Sequence, residues 1–184
     1  MRLFTCLAVV ALAFPGAADA SSMVLGSGLA RLCYEAADAE NATPQTLDIC
    51  NRAIGEEPLA FEDQVATYVN RGILRAHMSD FPGALGDYDR AIRMDPREPE
   101  AYLNKATLVL KEQHDWRGAR DLFDAAIARR TRHPEFAYYG RAVASELAGD
   151  YASAMADYQK ASTLAPEWEQ PKKELTRFQI RKRD

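Results

Sequence analysis

A chain whose small and aromatic residues return at a fixed interval is confined to folds built from one unit stacked on itself. Between Tyr68 and Pro96 two helical patterns flank Ser79 to Pro82, and Gly72, Ala84 and Ala91 stand where two antiparallel helices must approach closely. This is one helical hairpin, and it recurs. Tyr68, Asn70 and Gly72 return as Tyr102, Asn104 and Ala106, while Ala84, Tyr88 and Ala91 return as Ala119, Phe123 and Ala126, and again as Ala154, Tyr158 and Ala161. The period is about 35 residues, the length of a two-helix solenoid repeat.

This pattern of aromatic, asparagine and small residues resembles the tetratricopeptide repeat family, strongly over 68–166 and weakly over 29–58. The resemblance implies an all-α fold, an α-α superhelix of about four hairpins (about 28–57, 60–96, 99–131 and 134–166) closed by a C-terminal capping helix over 167–184. In that family the first helix of each hairpin lines a concave face. The matching positions are Val69, Asn70, Ile73, Ala76 and His77 in the second hairpin and Leu103, Asn104, Thr107 and Leu110 in the third. The fourth supplies Phe136, Tyr139 and Val143. Asn70 and Asn104 fall where family members often use a carboxamide to bond a ligand backbone. Members that clamp a C-terminal carboxylate do so with lysines and an arginine, but Val69, Ile73, Phe136 and Gly140 stand in those places and only Asn104 matches. The implied ligand is therefore an apolar or extended peptide segment. Alternatively, Val69, Leu103 and Tyr139 serve only to pack neighbouring hairpins. His77, at a position able to face the groove, would make binding pH-dependent.

The ends of the chain read differently. Arg2, an uncharged apolar run from Leu3 to Phe14, a Pro15-Gly16 break and Ala18-Asp19-Ala20 resemble a secretory signal peptide over 1–20, which leaves a repeat domain over 21–184. The run is about half the ~20 residues needed to span a bilayer. A periplasmic or secreted location is expected on this reading. Ser21 to Gly28 then reads as a flexible, frayed entry to the fold. Beyond the leader only Cys33 and Cys50 remain, nearly equidistant from a turn at Asn41 to Thr43, so they would face each other and form a disulfide. Two small buried apolar residues are the other possibility. Thr43 is placed as an N-cap ahead of Pro44. Pro58, Pro96, Pro99 and Pro166 punctuate the hairpins, but Thr131 stands where a proline is expected, which predicts a looser or longer junction over 129–133. In the tail, Trp168, Leu175 and Phe178 form an apolar side beside a basic one, suited to a cap or to docking on an acidic surface.

Chemistry is sparse. His77, His114 and His133 are isolated, no ligand spacing or phosphate loop occurs, and the carboxylate pairs belong to amphipathic helices. No enzyme, metal or cofactor is expected. A net charge of -4 gives no general attraction to nucleic acid, which leaves the basic C-terminal helix as the place for any membrane contact. The expected function is an exported adaptor that binds a peptide segment of a protein partner in its concave groove. The alternatives are a structural or assembly subunit of a cell-envelope complex and a module for a small apolar ligand such as a lipid.

Overall fold

The structure, a computed structural model, describes residues 20–26 and 28–181, with the backbone alone for 179–181. The leader expected over 1–20 thus lies outside the described residues, except for Ala20. Four helical hairpins follow one another: α1 (Leu29–Asp38) with α2 (Pro44–Glu56), α3 (Phe61–His77) with α4 (Phe81–Met94), α5 (Pro99–Leu108) with α6 (Trp116–Ala128), and α7 (Pro134–Leu147) with α8 (Tyr151–Leu164). A last helix, α9 (Glu169–Arg181), packs on α8. Among the described residues the fold is all-α, a solenoid of paired helices with a final extra helix.

The outer helices start alike. Asp80, Asp115 and Asp150 each accept a hydrogen bond from the backbone N–H three residues on, of Gly83, Gly118 and Ser153, at 3.1, 3.0 and 3.2 Å. A carboxylate there satisfies a donor that the helix cannot, and it sits well with the helix dipole. The Ser153 contacts hold the Asp150 carboxyl below its usual range. Helix α2 is capped as its sequence suggests: Thr43 and Thr46 bond each other's backbone N–H, with Pro44 in the first turn. Helix α1 has no side-chain cap of its own, and Glu57, just past α2, accepts from Leu29 and Ala30 N–H at 2.6 and 3.0 Å.

Close approach explains the small residues. A Cβ on Gly72 would lie 2.5 Å from the buried Tyr88 ring, and one on Gly140 would lie 2.2 Å from Phe123. Gly72→Ala gains helix propensity but must displace a core aromatic ring; overpacking of this kind costs roughly 1–3 kcal/mol, against a gain of about 0.5–1 kcal/mol. A lower urea midpoint is the expected result. Gly86→Ala, which meets nothing within 4 Å, should be neutral or stabilising in the same titration.

Two irregularities have local causes. The third hairpin carries one residue more at its internal turn, and α5 absorbs it by running on as a π-helical turn, Val109–Gln113, before His114 turns left-handed. The junction after α6 is one residue longer than its counterparts, but it is not loose. Arg130 adopts a left-handed conformation, Thr131 N–H bonds Ala126 O at 3.1 Å, and Thr131 is buried. The turn thus ends the helix as glycine usually does, without needing the missing proline.

Cys33 and Cys50 form the expected disulfide, fully buried, with Cα atoms 5.0 Å apart. Cations of the inner helices tie the second and the fourth hairpin each within itself and to the one before, and the third to the second. Arg71 bonds Asp87 within its hairpin and Asn51 in the preceding one, and Arg141 repeats this with Asp157 and Asp124. Lys105 reaches back to Asp89 at 2.6 Å. Helix α9 acts as the cap: Phe178 is buried, Leu175 packs on the same cluster, and Arg177 grips the buried Glu146.

Candidate peptide-binding groove

Helices α1, α3, α5 and α7 supply one side of the stack, and the residues expected to line a groove fall into three groups. Val69, Ile73, Leu103, Leu110, Tyr139 and Val143 are buried within the hydrophobic clusters between hairpins. Phe136 and Tyr139 also pack against Trp168, with ring centroids 5.0 and 4.8 Å away, and burial pushes the Tyr139 hydroxyl up to about 12. Ala76, His77 and Thr107 line an open depression that also includes Asn104 and Phe81. Asn70 and Asn104 are buried, and their carboxamides are engaged with backbone.

That backbone is the chain's own. Residues 20–25 are not a frayed entry; they run extended from α5 past α3 to α1. Asn104 takes the N–H of Ala20 at 3.2 Å and donates to its carbonyl at 3.0 Å. Two residues on, Asn70 repeats the arrangement with Ser22, at 2.9 and 2.7 Å. Each carboxamide thus mimics the edge of a neighbouring β-strand, and the two-residue step is the period of an extended chain. Asp63 accepts from Leu25 N–H at 2.9 Å, and Arg132 donates to the Ser21 carbonyl at 2.5 Å.

Ala20, Ser21 and Ser22 are all buried, and from Ser22 on the side chains alternate. Ser22 and Val24 are buried, whereas Met23 and Leu25 are 51% and 84% exposed. Val24 packs with Ala30, Ala53 and Ala66, and Ala20 joins the cluster that holds Leu103. The surroundings of the two serines are acidic. Ser21 Oγ donates to Asp38 at 2.8 Å and Ser22 Oγ to Glu98 at 2.7 Å. Burial raises the Glu98 carboxyl above its ordinary range, opposed by the Ser22 hydroxyl. Glu100 is buried and accepts from Arg132 backbone and Nε through one oxygen; its other oxygen meets no donor among the described residues.

Asp63, Glu98, Glu100 and Arg132 were not among the positions that the sequence singles out. Glu98 and Arg132 stand just outside helices, in Pro- and Thr-containing junctions, where helical periodicity gives no facing direction. Among the described residues no group of His, Cys, Asp or Glu could hold a metal ion, and no helix is long and apolar enough to cross a membrane.

A family model described as tetratricopeptide repeat matches residues 69–113 and 108–167, more than half of the chain. The chain belongs to the tetratricopeptide repeat family. Among solved structures, this tetratricopeptide-repeat protein is similar to the "MamA RS-1 ArsTM double mutant", with a TM-score of 0.67, 21% identity and 88% of each chain covered. That comparison counts against the periplasmic or secreted location expected from residues 1–20. As a tetratricopeptide-repeat protein the chain is a protein-interaction scaffold.

Proposed function

We propose that this chain is an assembly scaffold, a structural subunit that holds another protein by an extended segment laid along its inner helices. The observation that carries the reading is the paired carboxamide contact of Asn70 and Asn104 with alternate residues of an extended strand. Such contacts read backbone, and the stack holds the two carboxamides, bonded to Ala20 and Ser22 of the chain itself, in the orientation that a segment displacing those residues would need. A lipid-sized apolar ligand is less well supported. Val69, Ile73, Leu103 and Tyr139 are spent in the core, and the side chains that meet the strand are largely polar.

Photo-crosslinking tests this reading. A photoreactive residue at Ala76 or Thr107, in the depression beside Asn104, should label the partner protein, and one at Met155, exposed on α8, should not. Labelling from Met155 alone would instead make the outer surface the docking face.

A further inference from the structure

The strand that occupies Asn70 and Asn104 is part of the same polypeptide, and its sequence states what the groove accepts. Resting on the scaffold reading above, we infer that the groove takes in trans an extended peptide with small side chains at two clamped positions and valine two residues beyond, and that Ala20–Leu25 is the built-in competitor for it.

Each element of that pattern has a physical cause. At the first clamped position Ala20 is fully buried in the cluster that holds Leu103, so a larger side chain has no room without displacing core residues. At the second, Ser22 is 2% exposed and its hydroxyl donates to Glu98 2.7 Å away, so a small donor fits and an acidic side chain is repelled. At the valine position, Val24 is enclosed by Ala30, Ala53 and Ala66, a pocket of methyl groups that suits a branched side chain of this size. Met23 and Leu25 point outward and leave their positions open to many residues. Ser21, between the clamped positions, is buried as well and donates to Asp38, so the ligand class is small-small-small-x-Val in extended conformation, with no acidic side chain where it meets Asp38 and Glu98.

Competition follows from covalent attachment. The strand leads through Gly28, which has a φ of 90°, directly into α1, so its local concentration at the groove is of millimolar order for a short link. A free peptide of equal intrinsic affinity is outcompeted until the chain's own strand is weakened. Ser22→Pro does this within the full chain, because proline lacks the N–H that Asn70 accepts and Ser22 lies outside the helices.

The probe is a fluorescein-labelled peptide, Ala-Ser-Ser-Met-Val-Leu-Gly, copied from residues 20–26 and titrated against full-length protein by anisotropy. The natural chain should bind it weakly. The Ser22→Pro chain should bind it at least roughly tenfold more tightly, since the competitor loses both the N–H to Asn70 and the hydroxyl to Glu98 and even one such bond is worth about that much. The Ser22→Pro chain should not bind a peptide with glutamate at the second clamped position, and adding Asn70→Ala to that chain should abolish binding of the original peptide. Equal, tight binding by the natural and Ser22→Pro chains would overturn the competition. No binding by either, or binding that survives Asn70→Ala, would overturn the ligand class. The scaffold reading has its own readout in the crosslinks from Ala76 and Thr107, so the two can fail separately.

Discussion

Arg177→Ala should lower the free energy of unfolding by about 2–3 kcal/mol, read as a shift of the urea midpoint at unchanged slope. Arg177 donates to both carboxylate oxygens of Glu146 at 2.6 Å, and Glu146 belongs to α7, two elements earlier in the stack. The Glu146 side chain is only 6% exposed, so removing the guanidinium leaves a buried carboxylate facing the Tyr158 hydroxyl, 3.2 Å away. Orphaning a fully buried charge costs about 3–5 kcal/mol; the figure here is reduced because the Arg177 side chain is 31% exposed and water can reach the gap. The guanidinium in turn is held well above its usual range by its hydrogen bonds to Glu146 and Glu174. Adding Glu146→Gln to Arg177→Ala should recover much of the loss, since a neutral amide is cheaper to bury than an unpaired charge. A neutral Arg177→Ala would mean that α9 is held by the apolar contacts of Leu175 and Phe178 without the ion pair, and that the basic residues of the tail are free for the docking role set against the cap.

Breaking the disulfide, by reductant or by replacing Cys33 and Cys50 with serine, should cost roughly 3 kcal/mol, the chain-entropy value for a loop of this size, with a cystine separation of 17 residues. The effect is concentrated in the first hairpin. Cys50 stands in the place that Tyr88, Phe123 and Tyr158 fill in later hairpins, so a covalent bond holds what an aromatic ring holds elsewhere. The pocket for Val24 is built partly from Ala30 of α1 and Ala53 of α2, so loosening this hairpin also loosens the inner strand. Thermal unfolding with and without reductant measures the first effect, and an unchanged midpoint would contradict it.

What was legible in the sequence was local or periodic. The recurrence of Tyr88 as Phe123 and Tyr158, and of Gly72 as Ala106, reports helices in contact, and helical spacing turns such residues inward wherever the repeat occurs. Thr43-Pro44 and the placement of Cys33 and Cys50 about one turn encode their structure within a few residues. The groove was harder. Helical spacing places Val69, Leu103 and Tyr139 on an inner face, but it cannot say whether the next hairpin covers that face, and here they are core. Asn70 and Asn104 were recognisable by position, but their partners lie 48 and 84 residues away, in a stretch with no periodicity of its own. Arg132 meets Ser21 across 111 residues. Contacts of that range between an irregular strand and loop residues leave no repeat to read, which is why Ser21 to Gly28 looked frayed. The location expected from the leader rested on the resemblance of residues 1–20 to a secretory signal peptide, a pattern that involves no contact with the repeats.

Residue-resolved amide hydrogen exchange on the full-length protein is the most direct test of the inner strand. The hydrogen bonds to Asn70 and Asp63 predict slow exchange at Ser22 and Leu25, fast exchange at Met23 between them, and loss of Ser22 protection in Asn70→Ala. Uniformly fast exchange across residues 20–25, unchanged by Asn70→Ala, would contradict a groove that holds its own strand.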